Sequence, residues 1–72
     1  MDFIQRIIDE RIDHDETQRQ LAKAINVNHI QWANYERRKN ALPIRYLIEI
    51  CQHYQVSADY LLGLPRDLNW PR

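Results

Sequence analysis

Two predicted helices in the first half of the chain are separated by only the link Asn26-Val27-Asn28. Asn tolerates the left-handed backbone of a sharp turn better than other residues with a β-carbon, so Asn26 is expected to end the first helix. Asn28 is a good N-cap for the second. A link this short forces the two helices to cross at a steep angle, which is the geometry of a helix-turn-helix.

The rest of the chain also has helical periodicity. The helix before the link begins near residue 17, where Thr17 and Gln20 fit a capping box. Pro43 suits the first turn of a fourth helix, Ser57 caps a short fifth, and Gly63 closes it. The residues predicted to face the core are Phe3, Ile4, Ile7, Ile8, Ile12, Leu21, Ala22, Ile25, Trp32, Tyr35, Leu47, Ile50, Cys51 and Tyr54. The sequence therefore predicts an all-α, five-helix domain with a helix-turn-helix at helices two and three.

Composition narrows the possible functions. One glycine excludes glycine-rich phosphate loops, and one cysteine excludes a disulfide framework and multi-cysteine zinc sites. No apolar run approaches the length of a membrane span and no secretory leader is seen, so we expect a cytoplasmic protein without membrane contact.

Charge is distributed unevenly although ten basic and ten acidic residues cancel. Residues 1–16 carry a net −4, residues 17–45 a net +5, and residues 46–72 a net −1. A total of zero argues at first against nucleic acid as a partner. Only charge within a Debye length of about 8 Å acts strongly on a phosphate, however, so the basic block leaves DNA binding open.

Three segments carry a family resemblance: TQRQLAKAINVN at residues 17–28, YER with Lys39 and Leu42-Pro43 after it, and VSADYLLG at residues 56–63. Together, in this order and spacing, they resemble the lambda-repressor-like (Cro/XRE) family over roughly residues 3–64. The resemblance implies a compact helix-turn-helix domain over residues 1–64. A short tail over residues 65–72 follows, and because it carries Leu68 and Trp70 it is a candidate to pack on the body or on a dimer partner. Asn26 and Arg38 depart from the pattern, since glycine is usual at both places.

In that family the third helix lies in the major groove and its outward side chains read base edges. The residues that the resemblance assigns to base reading are His29, Ile30, Gln31, Ala33 and Asn34. Asn34 can pair in bidentate fashion with adenine, and Ile30 can contact a thymine methyl group. Without the resemblance, both would be ordinary surface residues.

Other residues take supporting roles by the same resemblance. The expected phosphate contacts are Gln18, Asn28, Arg37, Arg38 and Lys39, with Arg19 and Arg45 as outer candidates. Arg11 and Glu36 occupy positions that form a largely buried ion pair, although they could also be unrelated surface charges. The candidate dimer surface is Ile44, Ile48, Tyr60, Leu64, Leu68 and Trp70, unless these residues only complete the monomer core.

Catalytic readings find little support. Asp13-His14-Asp15 lies in a predicted turn without a second ligand cluster, and His29 and His53 lie far apart in sequence with no carboxylate partner expected nearby. Cys51 lies on an inward stripe, where a thiol is usually inert. We therefore expect no enzyme, metal or cofactor.

The function predicted is that of a sequence-specific regulator of transcription, a repressor that binds a palindromic operator in double-stranded DNA as a homodimer. The alternative is an antitoxin-like or adaptor module whose main partner is a protein and whose DNA contact is secondary.

Overall fold

The structure is a computed structural model that describes residues 2–64. Its helices are α1 (Phe3–Asp13), α2 (Gln18–Ala24), α3 (His29–Glu36), α4 (Ile44–Tyr54) and α5 (Ala58–Leu62). No β-strand occurs within residues 2–64, which confirms the predicted all-α, five-helix class. None of these helices is long and apolar enough to cross a membrane.

Local side-chain bonds begin four of the helices. Asp2, Thr17, Asn28 and Ser57 each accept a hydrogen bond from a backbone N–H in the first turn that follows. At α2 the capping box is complete, because the Gln20 side chain also accepts from the Thr17 backbone N–H at 2.8 Å. Pro43 is the N-cap of α4, so it lies just before the first turn and not inside it as predicted. Its side chain provides no capping hydrogen bond.

Each helix is followed within two residues by a residue in the left-handed region, with φ between 55° and 72°. These residues are Asp15, Asn26, Arg38, Gln55 and Gly63. The following N–H then bonds back to a carbonyl of the last turn, as Val27 does to Ala22 at 2.9 Å. This closing turn satisfies carbonyls that would otherwise lack donors. Only Gly63 adopts it without a β-carbon. Asp and Asn tolerate this conformation better than other residues, so the steric cost of about 1 kcal/mol or more falls on Arg38 and Gln55.

The core lies between the α2–α3 pair and the other three helices, α1, α4 and α5. The buried apolar residues are Ile4, Ile7, Leu21, Ala22, Ile25, Trp32, Tyr35, Leu47, Ile50, Tyr54 and Leu61. Phe3, Ile8, Val27 and Cys51 are half-buried against them. Ala22 is almost completely buried, and its small side chain leaves room for α2 and α3 to pack on each other.

The prediction that Ile12 faces the core is wrong, because its side chain is 56% exposed. Ile4 and Ile7 define the inner face of α1, and at about 100° per residue the next position on that face is Arg11. Arg11 points inward because Glu36 accepts its guanidinium there. Ile12, one residue further round the helix, is thereby turned to the surface.

Candidate nucleic-acid interface

Helix α3 presents one buried and one exposed face. Trp32, Tyr35 and Glu36 are buried against the core, and the opposite face carries Ile30 and Arg37. The Ile30 side chain is 63% exposed although it is strongly apolar. Helices α2 and α3 pack on each other, and this packing leaves the exposed face of α3 on the surface of the domain.

The five residues predicted to read bases differ in their surroundings. Ile30 and Gln31 are exposed, and the other three, His29, Ala33 and Asn34, are half-buried. The Gln31 amide donates to the Tyr35 hydroxyl at 2.7 Å, so this side chain leans toward the core side of α3. Ile30 and Asn34, one turn apart, form the centre of the outward face.

The carboxylate of Glu36 anchors α3 from inside. It accepts from Arg11 Nε at 2.9 Å, Arg11 Nη2 at 3.1 Å, Gln18 Nε2 at 2.9 Å and Trp32 Nε1 at 2.6 Å. These bonds satisfy the buried charge and tie α1, α2 and α3 to one point. Arg11 and Glu36 thus form a largely buried, bidentate ion pair in this structure.

Gln18 and Asn28, two predicted phosphate contacts, are both used within the chain. The Gln18 side-chain amide is bonded to Glu36, while its backbone N–H in the first turn of α2 has no acceptor within the helix. The Asn28 side chain accepts from the Ile30 N–H at 2.8 Å and caps α3. The Gln18 amide nitrogen carries two N–H groups, so one bond to Glu36 leaves the other as a donor for a phosphate.

Basic side chains surround the exposed face of α3. Arg37 and Lys39 are exposed, and neither forms an ion pair with any residue from 2 to 64. On the other side, Arg19 and Lys23 line a shallow cleft of about 330 Å³ beside the start of α3. Glu36, the only acid of residues 17–45, is buried, so this block exposes cations without exposed anions.

Two other basic residues are engaged. The Arg45 guanidinium lies 4.9 Å from the centroid of the Tyr46 ring. Arg38 turns back toward α1, where Asp2 accepts from its Nε at 2.6 Å. The Arg38 guanidinium holds the pKa of the Asp2 carboxyl below its ordinary value.

The prediction that His53 lacks a carboxylate partner is wrong. Its Nε2 lies 2.8 Å from Glu16 Oε2, and the Tyr54 hydroxyl donates to Glu16 Oε1 at 2.6 Å. Burial alone would raise the pKa of Glu16, but the bonds from Tyr54 and His53 outweigh it and lower that pKa. Periodicity could not reveal this contact, since 37 residues separate Glu16 from His53.

The remaining candidates for chemistry are dispersed. His14 Nδ1 lies 2.8 Å from the Glu10 carbonyl oxygen, and its ring lies beside that of Tyr54. Cys51 is half-buried, and burial raises the pKa of its thiol. Within residues 2–64, no three His, Cys, Asp or Glu side chains are grouped so that they could hold a metal ion.

The predicted dimer residues are exposed where the structure describes them. Ile44 and Ile48 are 74% and 53% exposed and lie one turn apart on α4. Tyr60 and Leu64 are also exposed, and the Arg6 guanidinium lies 5.7 Å from the centroid of the Tyr60 ring. Leu68, Trp70 and the tail to which they belong fall outside the described residues.

Comparison with known proteins gives one informative similarity. Over 65 residues the chain is 34% identical to the uncharacterized HTH-type transcriptional regulator YobD of Bacillus subtilis (strain 168). The aligned region covers 90% of this chain and 58% of that protein, so the chain spans little more than half the length of this relative. No family model and no solved structure matches the chain. The packed pair α2 and α3, joined by a short link, agrees with the helix-turn-helix that the name of this relative gives.

Proposed function

We propose that the chain is a sequence-specific double-stranded DNA-binding regulator of the lambda-repressor-like type, with α3 in the major groove. The observation that carries this proposal is the exposed face of α3. An apolar side chain, Ile30, stands at its centre, and cations without ion-pair partners among the described residues, such as Arg37 and Lys39, flank it. A major groove about 12 Å wide admits such a helix.

The roles within that interface follow from side-chain chemistry. Asn34 pairs with adenine, Ile30 contacts a thymine methyl group, and His29, Gln31 and Ala33 complete the surface that reads bases. Phosphate contacts come from Arg37, Arg38 and Lys39 at one end of α3, and from Asn28 and Gln18 at the other. Such contacts fix the position of the helix without carrying sequence information.

We further propose that the regulator is a repressor and that it binds a palindromic operator as a homodimer. Twofold symmetry then requires half-sites centred about 10 bp apart or a multiple of that spacing. The exposed stripe of Ile44 and Ile48 supports a second copy of the chain as partner, because exposed branched aliphatic side chains one turn apart gain by burial. Leu64, Tyr60 and the tail residues Leu68 and Trp70 are further candidates for that surface.

Titration against duplex DNA at several salt concentrations tests DNA binding directly. The logarithm of the binding constant should fall with the logarithm of salt concentration by about 0.9 per neutralised phosphate, with several phosphates involved. Absence of binding at low salt would overturn the proposal and favour the alternative, an antitoxin-like or adaptor module with a protein partner.

A further inference from the structure

The turn that ends α3 contains an arginine where glycine is the favoured residue. Arg38 has φ of 62°, its N–H bonds to the Tyr35 carbonyl at 3.1 Å, and the Lys39 N–H bonds to the Asn34 carbonyl at 2.9 Å. This arrangement normally selects glycine because a β-carbon strains the left-handed backbone. The backbone alone therefore does not explain why the chain has an arginine here.

The Arg38 side chain is held on three sides. Its Nε donates to Asp2 Oδ2 at 2.6 Å, and its Nη2 also pairs with the Asp2 carboxylate. Its Nη1 donates to the Glu36 carbonyl oxygen at 2.7 Å, while the Gln5 side-chain oxygen lies 3.4 Å from Nη2. Both nitrogens contact a single carboxylate oxygen, Oδ2, because Oδ1 of Asp2 accepts from the Ile4 N–H. An oxygen of a phosphate group is an anionic acceptor that could take the place of Oδ2.

The pair is accessible to solvent. The Arg38 and Asp2 side chains are 43% and 44% exposed, respectively. Exposed ion pairs contribute little to stability, since water screens them and both side chains lose freedom. A competing anion can therefore replace Asp2 without opening the core.

The same pair lies within the cationic end of α3. Arg38 stands between Arg37 and Lys39, two exposed cations that form no ion pair with residues 2–64. A DNA backbone that reaches these neighbours also comes within reach of Arg38 and its carboxylate partner.

We propose that Asp2 is an internal competitor of DNA phosphate for Arg38, and that it weakens sequence-independent binding until a phosphate displaces it. This inference rests on the proposed function. It assigns Asp2 a role in limiting affinity, beyond its role as the N-cap of α1. On binding, the phosphate takes over the guanidinium, and the released carboxylate repels the same phosphate.

Two substitutions test this without disturbing the fold. Asp2→Asn removes the charge and retains the cap, because Asn and Asp are equally good N-caps. Arg38→Gly removes the guanidinium and suits the left-handed backbone. Asp9→Asn is the matched control, since it removes the same charge from an exposed position of α1, where the carboxylate accepts from the Gln5 amide at 3.0 Å.

Binding to a random-sequence duplex of about 20 bp is measured for each chain at several salt concentrations. Asp2→Asn should bind more tightly than the unaltered chain, with a salt slope steeper by about 0.9. Its advantage should shrink about threefold between 50 and 200 mM salt. In the Arg38→Gly background, Asp2→Asn should have no larger effect than Asp9→Asn.

The outcomes separate the two proposals. The competitor role would be overturned if Asp2→Asn and Asp9→Asn raised DNA affinity equally, both in the unaltered chain and in the Arg38→Gly background. Only net charge would then matter. An unchanged salt slope in Asp2→Asn would also overturn that role. If no variant binds DNA at low salt, while circular dichroism shows each to be helical, the proposed function fails as well.

Discussion

The indole N–H of Trp32 donates to the carboxylate of Glu36 at 2.6 Å, one turn further along the same helix. Both side chains are buried, and the same carboxylate receives the guanidinium of Arg11 from α1 and the amide of Gln18 from α2. The inner face of α3 is therefore fixed by polar bonds as well as by packing. Such a network holds a helix in one orientation because each member needs the others for its hydrogen bonds.

Glu36→Gln should be among the most destabilising single changes in the chain. It keeps the shape of the side chain but leaves the half-buried Arg11 guanidinium without its anion, at an expected cost of about 3–5 kcal/mol in the free energy of unfolding. Urea titration followed by circular dichroism measures the loss. Glu49→Gln, on the exposed side of α4, should change stability by no more than about 0.5 kcal/mol. If Glu36→Gln changed the free energy of unfolding as little as Glu49→Gln, the ion pair would contribute nothing to stability.

Gln55→Gly should stabilise the protein. Gln55 ends α4 with φ of 57°, where glycine avoids a steric cost of about 1 kcal/mol. For a domain of this size, such a gain raises the melting temperature by about 4–8 °C. Gln52→Gly, at an exposed interior position of the same helix, should lower stability by about 1 kcal/mol. If both changes lowered the melting temperature, the left-handed conformation at Gln55 would be in error.

Glu16 should make stability depend on pH in the acid range. Its pKa is lower in the folded chain than its ordinary value of 4.5, so its stabilising contribution is present above that value and is lost as pH falls through the folded pKa. The difference in unfolding free energy between the unaltered chain and Glu16→Gln should therefore shrink as pH is lowered from 6 toward 3. A constant difference over that range would contradict the contacts of Glu16 with Tyr54 and His53.

Tyr54→Phe provides the control for that pH effect. Burial, followed by the bond to Glu16, raises the pKa of the Tyr54 hydroxyl far above its ordinary value, so the hydroxyl remains a donor throughout the range tested. Without it, the acid-dependent part of the Glu16 contribution should decrease but not vanish, because His53 still faces the carboxylate.

Asn34→Ala should cost about 1–3 kcal/mol in binding to the selected operator and relax base preference at one position. The operator is obtained by selecting random duplex DNA against the purified protein. Arg37→Ala is the comparison, because loss of a phosphate contact should weaken binding to all sequences alike and reduce the salt slope by about 1. An equal loss on every sequence for Asn34→Ala would reassign Asn34 to positioning.

Ile48→Lys should separate a homodimer into monomers if the α4 stripe forms the dimer surface, because it would bury a charge between the two copies. Sedimentation equilibrium measures the change. Ile12→Lys is a matched control, since Ile12 is similarly exposed, at 56%, but lies on α1. A dimer that survives Ile48→Lys and dissociates with Ile12→Lys would move the interface to α1.

Features of the fold that depend on near neighbours were predictable. The caps Thr17, Asn28 and Ser57 act within three residues of themselves, and the outward face of α3 follows from its period. The left-handed ends at Asp15 and Gln55 are also local, yet neither is glycine or asparagine, and composition therefore gave no sign of them.

The three-residue link between α2 and α3 and the helical periods of the sequence determined by themselves how many helices form and which faces are apolar. Only the tertiary structure decided which charges meet, because Glu16 and His53, or Asp2 and Arg38, lie 37 and 36 residues apart. Separation along the chain also explains why the sequence did not predict that Arg11, and not Ile12, faces inward. Its partner Glu36 lies 25 residues away, and no local preference specifies a contact at that distance along the chain.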